Sequence, residues 1–72
     1  GTRMNIKKAV DKAYEDKSFK DLTKAPISAL AGLTDEHQQL LEKCGVKTIG
    51  DLGSWKFANW ARAIVELAAT EE

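Results

Sequence analysis

Phe57, Trp60, Ala61, Ile64, Leu67 and Ala68 recur at spacings of three and four residues. Drawn at 100° per residue, they fall within about a third of the circumference of a helix. The pattern predicts an amphipathic helix from about Trp55 to Ala69 and is the strongest periodic signal in the chain. Trp60 lies on the apolar face and is expected in the core. Trp55 sits about 160° from Phe57 on the same wheel and is expected to point elsewhere, either as a cover over the Ile49–Leu52 turn or as an exposed aromatic anchor.

Upstream, Ile6, Ala9, Val10, Ala13 and Tyr14 form a second helical stripe, predicting one helix from Asn5 to Asp16 with Asn5 as its cap. Ser18 followed by Asp21 has the capping pattern of a short helix with Phe19 and Leu22 on one face. Pro26 ends that helix and opens another short one to Ala31, with Ile27 and Leu30 inward and Gly32 closing it. Thr34, with Asp35 and Glu36 in the first turn, caps a clearer helix whose expected buried stripe is Leu40, Leu41 and Cys44. Gly45 suits the left-handed position after its end. Thr48 and Asp51 repeat the capping pattern over a one-turn helix that carries Ile49 and Leu52 and is ended by Gly53. No segment alternates with period two over the length of a strand. The expected fold is therefore all-α: a compact bundle of about five helices, mostly short, with a longer one at the C-terminus.

Composition narrows the function classes. Gly1-Thr2-Arg3 before Met4 has the look of a tag remnant, leaving residues 4–72 as a single helical domain. Seventy-two residues lie near the lower limit for a fold held by its core alone. Eleven Lys and Arg balance eleven Asp and Glu, which argues against a protein living mainly on nucleic acid or an anionic membrane. No apolar run approaches the roughly 18 residues of a membrane span. The single cysteine allows no internal disulfide, and no secretion signal is evident, so a cytoplasmic location is expected.

Residues 27–52 resemble a helix-hairpin-helix motif. Ile27 and Leu30 take the first-helix positions, Gly32-Leu33-Thr34 the turn, Leu40 and Leu41 the second helix, and Gly45-Val46-Lys47-Thr48-Ile49 the exit. The resemblance implies a helical hairpin core. In DNA-binding members of that family, a second turn glycine and its neighbouring N–H groups admit a phosphate. Here Thr34 takes that place, and Asp35 and Glu36 follow it. Five-helix domains of the sterile-alpha-motif type are also similar, which implies protein interaction instead.

Catalytic and metal chemistry find little support. His37 and Cys44 are two helical turns apart, about 10.5 Å along the axis, too far to share one zinc. Asp35 and Glu36 diverge by about 100° and read as helix-start charges rather than an acid–base pair. There is no phosphate-binding glycine loop. The expectation is a non-enzymatic module with no metal or cofactor, binding another protein or itself. Trp55 is the expected partner contact, with Lys56 and Arg62 on its rim. The alternative is weak, sequence-independent nucleic-acid binding through Gly32, Leu33 and Thr34, helped by Lys43 and Lys47. A third reading is a fragment of a larger enzyme.

Overall fold

Asn5 caps the first helix as its sequence suggests, its Oδ1 accepting a bond from the Lys7 N–H at 3.1 Å. In the computed structural model, which describes residues 5–71, that helix (α1, Ile6–Ala9) then stops after four residues. The tag remnant assigned to residues 1–3 lies outside the described residues. The continuous helix expected to Asp16 is replaced by an extended Val10 and a 3₁₀ turn at Lys12–Tyr14. A tertiary pairing outcompetes the helical ladder. Val10 bridges Leu30, with the Asp11 N–H donating to the Ala29 carbonyl at 2.8 Å and the Ala31 N–H to that of Ala9 at 2.9 Å. Extension keeps these backbone groups bonded while burying the Val10 side chain.

Helix α2 (Phe19–Thr23) is capped by Ser18, whose Oγ accepts from the Asp21 N–H at 3.0 Å. Leu22 is buried, but Phe19, expected beside it, is largely exposed. After Pro26 the expected short helix is a single 3₁₀ turn, Ile27–Ala29, because Leu30 leaves it extended to meet Val10. Ile27 on this turn is 0% exposed and sits at the centre of a small core with Val10, Leu22, Ala25, Ala29 and Val46.

Helix α3 (Asp35–Glu42) starts at a capping box. The Thr34 Oγ accepts from the His37 N–H at 3.2 Å, and the His37 Nδ1 accepts from the Thr34 N–H at 3.1 Å. A histidine thus fills the place usually held by Glu or Gln. Gln38 ties α3 to the preceding turn, its Oε1 accepting from the Ser28 N–H at 3.0 Å. Leu40 and Cys44 are exposed and Leu41 half-buried, so the predicted inward stripe does not form. Gly45, at φ +81°, turns the chain back so that Val46 goes inward in place of Cys44. The Leu41 carbonyl accepts from both the Cys44 and Val46 N–H groups, at 2.9 and 3.0 Å.

Thr48 and Asp51 form a second capping box at the start of α4 (Ile49–Ser54). The Asp51 Oδ2 accepts from the N–H groups of Lys47 and Thr48, at 3.1 and 3.2 Å. Those bonds favour the charged carboxylate and hold its pKa below the ordinary 3.8. With the folded value below the unfolded one, the bonds add stability in full above pH 3.8, and that contribution is lost as pH falls through the folded value. Asp51→Ala is accordingly expected to lower Tm at neutral pH, by a margin that shrinks as the pH is taken below 3.8. Thermal melts of both proteins from neutral pH to pH 2 check this, and a gap that stays constant throughout contradicts it.

Helix α4 packs closely on the end of α2. Pro26 bridges Thr48, and the Ile49 N–H donates to the Ala25 carbonyl at 3.0 Å. Gly50 permits this approach, since a Cβ there would stand 2.8 Å from the Thr23 carbonyl oxygen. Gly53, which does not end the helix but lies within it, would place a Cβ in open space. Alanine is the better helix former by about 1 kcal/mol, so Gly53→Ala is expected to raise Tm. At Gly50 the overlap reverses the sign, costing about 1–3 kcal/mol. Two thermal melts decide it, and stabilisation by Gly50→Ala contradicts the packing described.

The architecture is all-α, with five α-helices, two 3₁₀ turns and no strand among the described residues. Its last and longest element is α5 (Lys56–Ala68). Trp55 forms the corner between α4 and α5, with φ −68° and ψ 115°. Only the first turn of α5 stays close to the body, where Trp55 and Ala58 are half-buried; every residue from Asn59 to Glu71 is exposed. The Cα radius of gyration is 13.6 Å, against about 11 Å for a compact chain of this length. The principal-axis extents, 43 × 29 × 20 Å, show the same elongation.

Candidate interaction surface

Trp60 departs from its expected environment: assigned to the core by its pattern, it is 59% exposed. Trp55 takes a half-buried position at the corner, nearer the cover reading than the exposed anchor. The core closes around Ile27 with side chains from residues 10 to 46, and the long N-terminal helix that could have covered the α5 stripe ends at Ala9. Beyond its first turn, α5 therefore has nothing to pack against. Phe57, Ile64, Val65 and Leu67 are exposed with Trp60.

The aromatic residues form one run. The rings of Trp55 and Phe57 meet edge to face at 5.9 Å, and those of Phe57 and Trp60 at 5.7 Å. The Lys56 Nζ lies 5.1 Å from the Phe57 ring centre and 5.7 Å from that of Trp60, within range of a cation–π attraction. Lys56 thus borders the aromatic run, and Arg62 lies away from the stripe. It lies about 160° from Ile64 on the helix, and its Nε donates to the Glu66 Oε1 at 2.9 Å on the polar back of α5.

Sequence reasoning placed the stripe residues Phe57, Ile64 and Leu67 inside, although they make most of the surface. The sequence carries no signal against that reading, because it also offers a helix of matching length at residues 5–16; among the described residues no helix but α5 exceeds eight residues.

The residues of the nucleic-acid alternative take different positions. Gly32, at φ +97°, turns the chain, and Leu33 is half-buried with its N–H donating to the Leu30 carbonyl at 3.1 Å. The capping box occupies the N–H groups of Thr34 and His37, and Asp35 and Glu36 are exposed in the same turn. Lys43 is at the opposite end of α3, roughly 12–14 Å along the axis. The Lys47 side chain is exposed, and its N–H is held by Asp51. The turn thus presents two carboxylates to any approaching phosphate, with the Thr34 and His37 N–H groups already bonded.

One apolar depression of about 200 Å³ is lined by Ile6, Val10, Phe19, Leu22, Leu30 and Ile49, with Ala9 and Thr23. It is smaller than the roughly 300–1,000 Å³ usual for ligand sites, and it lacks the convergent polar groups that orient a substrate. Among the described residues, no three His, Cys, Asp or Glu come together as a metal site. Nor is any described helix long and apolar enough to cross a membrane. Compared with family models, curated proteins and solved structures, the chain matches none of them.

Proposed function

We propose that the chain is a non-catalytic helical interaction module of the sterile-alpha-motif kind, which binds protein through the apolar face of α5. The observation that carries this reading is the exposure of Phe57, Trp60, Ile64 and Leu67 on one side of a single helix. Exposed apolar patches beyond a few hundred Å² are uncommon on isolated domains and mark binding surfaces. The exposed aromatic side chains Phe57 and Trp60 are of the kind enriched in interfaces, tryptophan above all at hot spots. The likeness of the short-helix pattern to five-helix domains of the sterile-alpha-motif type favours the same use. The lone, exposed thiol of Cys44 suits a reducing compartment such as the cytoplasm.

Carboxylates beside the Gly32–Thr34 turn and balanced overall charge weigh against the nucleic-acid alternative. Duplex DNA binding is expected to be weaker than about 10⁻⁴ M at physiological salt. A photocrosslinking residue in place of Ile64, introduced in the source cell, tests the reading. Capture of protein at Ile64, and much less at a control position replacing Arg62, is the expected outcome. Capture of nucleic acid, or equal capture from both faces of α5, overturns it.

A further inference from the structure

We infer that the partner of α5 is the α5 of a second copy of this chain, packed antiparallel. This rests on the reading of α5 as an interaction surface and adds the identity and direction of its occupant.

Three observations converge on it. The first is area. Phe57, Trp60, Ile64, Val65 and Leu67 are each more than half exposed. Leaving aside Val65, which lies toward the Arg62 side of the helix, Phe57, Trp60, Ile64 and Leu67 leave on the order of 500 Å² of apolar surface uncovered on one face. Two such faces reach the roughly 1,000 Å² that a specific interface requires.

The second is charge. Helix ends favour acids at the N-terminus and bases at the C-terminus. α5 has no acid in its first turn and no base in its last; it begins with Lys56, and Glu71 lies just past its end. Within one chain this arrangement opposes the helix dipole. Between antiparallel copies it becomes complementary, with Lys56 of each beside the C-terminal end and Glu71 of the other. Parallel copies would instead set lysine on lysine and glutamate on glutamate.

The third is shape. The bulky Phe57 and Trp60 occupy the N-terminal half of the stripe, and Ile64, Leu67 and Ala68 the other half. Antiparallel packing sets large side chains against smaller ones, as interdigitation requires. Exposure on every side from Asn59 to Glu71 leaves the body clear of this approach.

Sedimentation equilibrium of the full chain between about 1 μM and 1 mM tests the inference. A monomer–dimer equilibrium is expected, abolished by Ile64→Glu. Lys56→Glu and Glu71→Lys should each weaken dimerisation about five- to thirtyfold, and the double variant should recover it. Because these positions lie outside the buried core, all four variants should retain the helical circular dichroism of the parent. Dimers indifferent to either single charge reversal, or not rescued by the double variant, overturn the antiparallel arrangement. Dimers that survive Ile64→Glu place the contact elsewhere and overturn the inference. A chain that stays monomeric throughout also overturns it. In that case capture of a different protein by the photocrosslinker at Ile64 leaves the interaction reading standing, and capture of nothing removes both.

Discussion

Ile27→Ala is expected to cost about 2–5 kcal/mol, the usual range for truncating a fully buried aliphatic side chain. A domain of this size has a total stability of only about 4–11 kcal/mol. Each kcal/mol shifts Tm by roughly 4–8 °C in so small a domain, so a fall of about 10 °C or more should follow. The severity comes from position. Ile27 is on the 3₁₀ turn between the two backbone bridges, Val10 with Leu30 and Pro26 with Thr48. A cavity there loosens the packing between α2, α4 and the N-terminal segment together. Chemical denaturation gives the number directly, and a loss below about 1 kcal/mol, ordinary for a surface site, would show that the core is centred elsewhere.

Trp60→Ala should do the opposite, removing far more side chain at little cost to the monomer. Tryptophan to alanine in a core costs about 3–5 kcal/mol. Trp60 is 59% exposed and meets Phe57 only edge to face, so the expected loss is below about 1 kcal/mol. Association should suffer instead. An aromatic anchor at the middle of an interface typically contributes 2 kcal/mol or more, about thirtyfold in Kd. Denaturation in dilute solution and binding measurements on the same variant separate the two effects. A Trp60→Ala variant as unstable as Ile27→Ala would mean that the α5 stripe is packed against the body.

The contrast between these substitutions reflects which physical signals a sequence carries. Helix starts were legible because capping is local. Asn5, Ser18, Thr34 and Thr48 each cap where the pattern places them, through bonds spanning two or three residues. Gly45 was legible for the same reason, since a left-handed residue after a helix is a one-residue requirement. The span of α5 was also legible, because periodicity is a property of the segment itself.

Partner assignment was not legible. The stripe from Ile6 to Tyr14 is as helical in pattern as many true helices, yet Val10 finds its backbone partner some twenty residues away, at Leu30. That pairing removes the long helix which could have covered α5. Periodicity shows which residues share a face, while what that face meets depends on every other element. Trp60 was therefore assigned to the right stripe and the wrong environment. Arg62 is expected beside Trp55, and the patch that α5 exposes lies on a different side of the helix, leaving Arg62 paired with Glu66. Val46 was missed as a core residue because its burial depends on the reversal at Gly45.

Acrylamide quenching of each tryptophan alone, in dilute solution, tests the openness of α5 most directly. In Trp55→Phe the remaining Trp60 should be quenched more strongly than the half-buried Trp55 that remains in Trp60→Phe. The reverse order, a shielded Trp60 and an open Trp55, would contradict the account and return the α5 stripe to the core.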